Sequence, residues 1–158
     1  VMDTPGHTMS HICLYSPGAE SEQPALFCGD TSFNAGIGRC DLGGAPEIMY
    51  ETFVKQFYPL ADEVRVFPGH DYIENNLQFT LDREPDNQSA QSLCAQFKAG
   101  LRAESYVSTI SMEREIKVFF RLDQMQVRSG IAASLDTDIE ALDDQSTFVG
   151  LRRMRDKW

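Results

Sequence analysis

The texture of the sequence changes near residue 72, and this change limits the possible folds more than any other feature. Before it, short apolar runs each end at a Gly, Pro or Asp turn signal, which is typical of buried strands. Four such runs are VMDT, HICLY, ALFCG and VRVFP. Between the last two, PEIMYETFVKQFYPL begins with Pro46 and spaces Met49, Phe53 and Phe57 four residues apart, which predicts an amphipathic helix.

After residue 72, helical periodicity replaces the strand pattern. Ile73, Leu77 and Leu81 predict a helix that ends before Pro85, and the apolar residues between 90 and 101 predict a second one. A third, shorter helix is expected at about 122–129 and the last at about 146–156, with STISMERE and SGIAASLDTD as connecting segments. The pattern therefore predicts an α+β protein, with strands and one helix over 1–72 and an all-helical C-terminal domain over 73–158.

Acidic residues outnumber basic ones by 24 to 14, and the net charge is −10. This balance argues against nucleic acid and against an anionic membrane as partners. No apolar run approaches the roughly 20 residues that span a bilayer, and no signal-peptide pattern opens the sequence. The four cysteines lack CxxC spacing, which predicts reduced thiols. We expect an intracellular protein that is cytoplasmic, with a mitochondrial location as the alternative.

The tripeptide Pro-Gly-His occurs twice, at His7 and at His70, each time next to a strand-like run. Proline keeps the strand end extended and glycine lets the chain turn, so the imidazole is presented at the edge of a sheet, where ligands gather. Asp30 follows a third strand-like run in the same way, through Gly29. Two histidines and one carboxylate at strand ends form a donor set that suits zinc or iron. The metal prediction depends on this shared position, because a lone residue of this kind more often caps or hydrogen-bonds.

In their order along the chain, these motifs resemble those of one enzyme family. DTPGHTMSHICLY, LFCGDTSF with AGIGR, VFPGHDY with NNLQF and EPDN, and the closing LRRMRDKW are together similar to the glyoxalase II enzymes, or hydroxyacylglutathione hydrolases, of the metallo-β-lactamase superfamily. The resemblance implies the second half of an αββα metallo-β-lactamase fold over 1–72, followed over 73–158 by a helical domain that binds glutathione thioesters.

The resemblance also assigns the metal ligands. It implies that His7 binds one metal ion, that His70 binds the other, and that Asp30 bridges both, which makes these three the catalytic residues. The ions would be zinc, with iron or manganese as alternatives. For His11 we expect a buried, hydrogen-bonded imidazole and not a ligand.

One motif of the superfamily does not occur in this sequence. Its members carry an HxHxDH string that supplies four further ligands, and we therefore expect that the chain begins halfway through the fold. Two metal ions with four or more ligands each are not satisfied by two histidines and one aspartate. The expectation for this chain alone is partial or no metal occupancy, no appreciable activity, and self-association through the incomplete sheet.

The implied reaction is hydrolysis of a glutathione thioester of the S-lactoylglutathione type to glutathione and a hydroxy acid, a step of methylglyoxal detoxification. The positions that the family uses for the glutathione tail fall here on Arg39, Tyr72, Arg152 and Arg155. Asp41 stands where the family usually has an aromatic residue. It either changes the thiol specificity or faces away from the site.

Two alternative functions stay open. The string GIGRCD is similar to a segment of the persulfide dioxygenases of the same superfamily, in which one iron ion is held by two histidines and a carboxylate. The other alternative is a non-catalytic fragment whose helices mediate contacts.

Overall fold

A five-stranded mixed sheet forms the centre of the computed structural model, which describes residues 1–20 and 22–158. The strands are β1 (Met2–Asp3), β2 (Ile12–Ser16), β3 (Ala25–Gly29), β4 (Ser32–Phe33), β5 (Gly36–Ile37), β6 (Arg65–Pro68) and β7 (Ser108–Thr109). The sheet order is β1-β2-β3-β6-β7, in which only the β3–β6 pair is parallel. Strands β4 and β5 form a separate antiparallel hairpin directly after Asp30.

The four predicted strands are confirmed as β1, β2, β3 and β6. Side chains alternate along β2 and β3, so that Cys13 and Cys28 are buried while Leu14 and Phe27 are each about half exposed. One face of the sheet therefore carries the core, and the other is open around Leu14 and Phe27. Self-association through this open face stays a prediction.

Four of the predicted helices are confirmed, and so is the predicted α+β class. The prediction that residues 73–158 are all helical was wrong, because β7 pairs with β6 in the sheet. The first of the four predicted helices continues into a π-helical turn over Phe53–Phe57. The helices are α1 (Pro46–Thr52), α2 (Ile73–Arg83), α3 (Gln88–Lys98), α4 (Ile110–Ile116), α5 (Met125–Leu135) and α6 (Asp144–Arg155).

The prediction for α5 placed it too early and made it too short. The helix begins at Met125 and continues through most of SGIAASLDTD, which was expected to be a connection. Val127 and Ile131 bury one face of the helix, and this packing outweighs the helix-breaking tendency of Gly130. The helix ends at Asp136, whose φ of 51° lies in the left-handed region.

The prediction that STISMERE is a connecting segment was wrong, because it forms β7 and most of α4. Two charged residues at core positions, Glu113 and Lys117, hide the apolar period of α4. Their side chains are almost fully buried, with Lys117 Nζ 3.2 Å from Glu113 Oε2 and 2.6 Å from Ser32 Oγ. Glu113 Oε2 also accepts a hydrogen bond of 2.9 Å from the backbone N–H of Ala35. The buried pair thus ties the β4–β5 hairpin to α4.

The main core cluster takes side chains from both sides of residue 72. Phe53 and Phe57 of the first part stack on each other, and Phe119 and Phe148 of the second part pack in the same cluster. A smaller cluster lies between α2 and α3 and includes Ala35 of the hairpin turn. The division into domains at 72/73 stays a prediction.

The cysteines are reduced, as their spacing predicts. All four cysteines are free thiols in buried positions: Cys13, Cys28, Cys40 and Cys94. Burial raises the pKa of the Cys40 thiol to about 12, so this group is unreactive at neutral pH. Among the described residues, none of the helices has the length and apolar character required to cross a bilayer.

Candidate functional site

Asp30 lies between the two imidazoles of the repeated Pro-Gly-His segments. Its Oδ2 is 3.6 Å from His7 Nε2, and its Oδ1 is 3.5 Å from His70 Nε2. The structure therefore brings together the three residues that the sequence placed at separate strand ends. Each carboxylate oxygen faces a different imidazole.

The backbone around Asp30 is fixed by the neighbouring strand end. The Gly69 N–H donates a 2.9 Å hydrogen bond to the Gly29 carbonyl, where the β3–β6 register shifts. A Cβ at position 69 would lie 2.8 Å from Asp30 Oδ1, so only glycine lets the second Pro-Gly-His segment approach this closely. The glycine of the tripeptide thus brings His70 next to the carboxylate.

The hydrogen bond at the other ring nitrogen sets the tautomer of His7. His7 Nδ1 lies 2.7 Å from the Arg39 carbonyl oxygen, which can only accept, so Nδ1 carries the proton of the neutral ring. Nε2 then turns its lone pair towards the Asp30 carboxylate. Two such electron-rich groups repel each other unless a cation lies between them. A backbone carbonyl that orients the far side of a histidine is also the usual support of a metal ligand.

The spacing of these donors fits metal ligation, although the set is incomplete. Two ligands of a tetrahedral zinc ion, each about 2.0–2.1 Å from the metal, are separated by roughly 3.3 Å. The two imidazole–carboxylate separations are close to this value. Each pair supplies only two donors, and within residues 1–20 and 22–158 no three His, Cys, Asp or Glu side chains form a group that could hold a metal ion.

His11 is hydrogen-bonded on both ring nitrogens, as the sequence predicts, but it is only partly buried. Its Nε2 accepts from the Asp30 backbone N–H at 3.2 Å, and its Nδ1 lies 2.8 Å from Thr31 Oγ1. Burial lowers the pKa of His11, and the nearby His7 lowers it further. The ring is therefore neutral at physiological pH.

One cavity of about 490 Å³ joins this triad to the cationic residues. All seven residues predicted for the site line it: His7, Asp30, Arg39, His70, Tyr72, Arg152 and Arg155. The carboxylate–imidazole cluster therefore shares one cavity with the guanidinium groups of α6 and of the loop after β5.

The comparisons with known proteins identify a family for this chain. Residues 71–158 match the family model described as "Hydroxyacylglutathione hydrolase C-terminus". The chain belongs to this family. The family predicted from the motifs is thus confirmed.

Curated relatives extend the similarity over the whole chain. The hydroxyacylglutathione hydrolase of Nitrosococcus oceani is 49% identical over 158 residues, which are 100% of this chain and 59% of that protein. That of Polaromonas sp. is 46% identical over 99% of this chain and 59% of that protein. The cytoplasmic one of Arabidopsis thaliana is 34% identical over 99% of this chain and 58% of that protein. The chain thus spans about three fifths of the length of these relatives.

Among solved structures, the crystal structure of ETHE1 from Myxococcus xanthus is 21% identical and has a TM-score of 0.48. The match covers 94% of this chain and 52% of that chain.

The two arginines of α6 differ in how far their donors are committed in this hydroxyacylglutathione hydrolase family member. Arg152 is only 4% exposed. Its Nη1 donates to the carbonyls of Ile37 (2.9 Å) and Gly38 (3.2 Å), and its Nη2 donates to Asp156 (2.8 Å). Arg155 forms no ion pair with any described residue, and burial lowers the pKa of its guanidinium. Its one side-chain hydrogen bond within the described chain is a long one of 3.4 Å to Asn76.

Arg39 and Asp41 form an exposed ion pair at the mouth of the cavity. Arg39 Nε donates to Asp41 Oδ1 at 2.6 Å, and a second guanidinium nitrogen contacts Oδ2. This hydrogen bonding lowers the pKa of Asp41 to about 2. Asp41 therefore neutralises the predicted anion-binding residue and does not itself line the cavity.

Sequence reasoning missed five residues that line the cavity: Phe33, Ile37, Leu42, Asn76 and Asp156. Two of them carried a usable signal. Asp156 stands four residues after Arg152, which is the spacing of a helical ion pair. Asn76 is one turn after Tyr72 and interrupts the apolar face of α2, where it is buried. The other three lack a pattern that separates them from core or surface positions.

Proposed function

We propose that this chain supplies the thiol-carrier site and part of the metal site for the hydrolysis of glutathione thioesters of the S-lactoylglutathione type, to glutathione and a hydroxy acid. The observation that carries the proposal is one cavity that is lined both by Asp30, His7 and His70 and by three arginines. A thioester whose carrier is anionic needs both features. The carboxylates of the carrier need cations, and the acyl group needs metal-assisted hydrolysis.

We propose His7, His70 and Asp30 as ligands of two divalent ions, with zinc first and iron or manganese as alternatives. When bound, such ions lower the pKa of a water molecule towards neutrality and polarise the thioester carbonyl. The chain's own contribution is orientation. The Arg39 carbonyl holds His7 with its Nε2 towards Asp30, and the backbone of Gly69 places His70 on the other carboxylate oxygen.

We propose that Arg155 is the main cation for a carboxylate of the carrier, because it lines the cavity and forms no ion pair with any described residue. Tyr72 stands at the cavity mouth beside His70, where its hydroxyl is available as a donor. Arg39 provides a further cation for the carrier once its ion pair with Asp41 is broken. Arg152 contributes its charge to the cavity while its donors support the loop after β5.

Ligand counting also gives an expectation for the chain alone. A catalytic zinc ion has three protein ligands and a water molecule, whereas each imidazole–carboxylate pair supplies two. We therefore propose that this chain alone binds metal weakly and has little or no activity.

A mononuclear iron oxygenase of the persulfide dioxygenase kind is the second candidate, because two histidines and one carboxylate are also its donor set. The geometry favours the hydrolase. His7 faces Asp30 Oδ2 while His70 faces Oδ1, which is the arrangement expected for a carboxylate shared by two ions.

The test is a chimera of this chain with the part of the Nitrosococcus oceani relative that it does not span. We expect hydrolysis of S-lactoylglutathione, followed by loss of thioester absorbance, with close to two metal ions per chain. Asp30→Ala should lower kcat/KM by more than about 100-fold, because the loss of a residue that only supports a metal ligand already costs roughly 10- to 100-fold. The control Asp138→Ala, at an exposed position, should leave it unchanged.

Two results of this experiment would refute the hydrolase, and a third would refute the role of Asp30. One iron ion per chain with oxygen uptake on glutathione persulfide would establish the oxygenase instead. A folded chimera with neither activity would leave the non-catalytic fragment. Full activity of Asp30→Ala would remove the shared carboxylate from the reaction.

A further inference from the structure

We propose that His11 is a positioning residue: through the backbone N–H of Asp30, it aims the Asp30 carboxylate between His7 and His70. The functional importance of this carboxylate orientation rests on the proposed function, in which Asp30 is a metal ligand. The contact itself belongs to the fold of the chain, and it is measured below without metal or substrate.

The hydrogen bonds of His11 leave one possible arrangement of its neutral ring. Nε2 accepts from the Asp30 N–H at 3.2 Å, so the proton is on Nδ1 and points to Thr31 Oγ1 at 2.8 Å. The Thr31 hydroxyl in turn donates to Thr4 Oγ1 at 3.1 Å. The Nε2 lone pair is thus taken by a main-chain donor. This explains why His11 lies near the Asp30 carboxylate but does not point its ring nitrogens at the carboxylate oxygens.

The backbone at Asp30 needs such an acceptor. Gly29 has a φ of 46°, and the β3–β6 register shifts between Phe27 and Gly29, so the chain leaves the sheet ladder just before Asp30. A main-chain N–H that leaves a ladder in a partly buried place needs another partner. His11 is that partner, and it packs against the turn so closely that a Cβ at position 29 would lie 2.9 Å from the ring.

The turn is held from two sides. On one side His11 binds the Asp30 N–H, and on the other the Gly69 N–H binds the Gly29 carbonyl at 2.9 Å. Both hydrogen bonds fix the same peptide group, the one that joins Gly29 to Asp30, so the Asp30 side chain that follows it can point its two oxygens to two different imidazoles. Without His11, one of the two restraints is lost.

The experiment compares His11→Gln, His11→Asn and His11→Ala in the 158-residue chain by NMR. The amide oxygen of Gln reaches about as far from the backbone as Nε2, whereas that of Asn reaches only as far as Nδ1. We expect His11→Asn and His11→Ala to accelerate hydrogen exchange of the Asp30 amide about tenfold. This corresponds to about 1.4 kcal/mol, the size of one hydrogen bond. His11→Gln should stay close to the unsubstituted chain.

The second readout is the Asp30 χ1 rotamer, measured from Hα–Hβ couplings. We expect one rotamer in the unsubstituted chain and in His11→Gln, and averaged couplings in His11→Asn. Gln and Asn are both polar and uncharged, so a difference between them reports on the reach of the amide oxygen and not on polarity or charge. If His11→Ala does not fold, the Gln and Asn variants still decide.

An unprotected Asp30 amide in the unsubstituted chain, or equal exchange and equal couplings in the Gln and Asn variants, would refute the positioning role. Failure of the chimera to hydrolyse thioesters would refute the proposed function without changing these measurements.

Discussion

The two Pro-Gly-His segments have the same three residues and very different surroundings. The side chain of His7 is 16% exposed, and its Nδ1 is held by the Arg39 carbonyl. That of His70 is 55% exposed, stacks on Tyr72 at 5.5 Å, and forms no hydrogen bond with any described residue. The tripeptide therefore determines that an imidazole stands at a strand end. Its orientation comes from residues far away in the sequence.

Different parts of the molecule support each histidine. The His7 side depends on the loop after β5, whose carbonyls are held by Arg152 of α6. The His70 side depends on Tyr72 and on Phe33 of the β4–β5 hairpin, which α4 holds through Glu113 and Lys117. Variants in α4 and in α6 should therefore affect different histidines.

The largest effect is expected from Lys117→Met, which leaves Glu113 buried without its cation. We expect a loss of about 3–5 kcal/mol in the free energy of unfolding, measured by urea titration. Because the hairpin loosens, NMR signals of the His70 ring should shift more than those of His7. Lys117→Met with Glu113→Gln should recover part of the loss. Lys55→Met, which breaks an exposed helical ion pair, should change stability by less than about 0.5 kcal/mol.

Arg152→Met should have the second largest effect, and on the opposite side. It removes charged donors from the Ile37 and Gly38 carbonyls, and we expect a loss of about 2 kcal/mol in unfolding free energy. The His7 ring should then lose its single tautomer, seen by ¹⁵N NMR in mildly alkaline solution, while His70 stays unchanged. Arg153→Met serves as control, because that side chain is exposed. Equal changes at His7 and His70 would contradict the conclusion that different parts of the molecule support the two histidines.

Tyr72→Leu sharpens the comparison with a smaller effect. It removes the stacked pair with His70 and the edge contact with Phe33, and we expect a loss of about 1 kcal/mol. The His70 ring should become more mobile in NMR relaxation, and the His7 ring should not. Tyr15→Leu, at a partly exposed tyrosine of β2 that does not line the cavity, is the matched control. A rigid His70 ring in Tyr72→Leu would show that stacking does not orient it.

Asp41→Asn should have the smallest effect. It frees Arg39, and we expect glutathione to bind about two- to fivefold more tightly at low salt, measured by NMR titration. The depressed pKa of about 2 for Asp41 means that the ion pair is fully present above the ordinary carboxyl range and is lost as the pH falls through 2. Glu104→Gln, in the more exposed Arg102–Glu104 pair, should change nothing. Unchanged or weaker binding by Asp41→Asn would show that Arg39 does not contact the carrier.

The strand ends and the convergence of His7, Asp30 and His70 could be predicted because turn residues and apolar runs are local signals. The β4–β5 hairpin could not, since its strands have two residues each and its turn places Ala35 at a φ of 56°. Helix α4 was hidden because Glu113 and Lys117 occupy core positions as a buried ion pair, which looks like surface in a sequence. The support of His7 by the Arg39 carbonyl involves a main-chain atom, which no side-chain pattern reveals.

The contacts of Arg152 also have a consequence for biosynthesis. Its hydrogen bond to the Ile37 carbonyl joins residues that are 115 positions apart. A ribosome that has translated the sheet, the hairpin and the first five helices has not yet made the side chain that secures the loop beneath His7. The pocket therefore reaches its final shape only after α6 has emerged from the exit tunnel and docked.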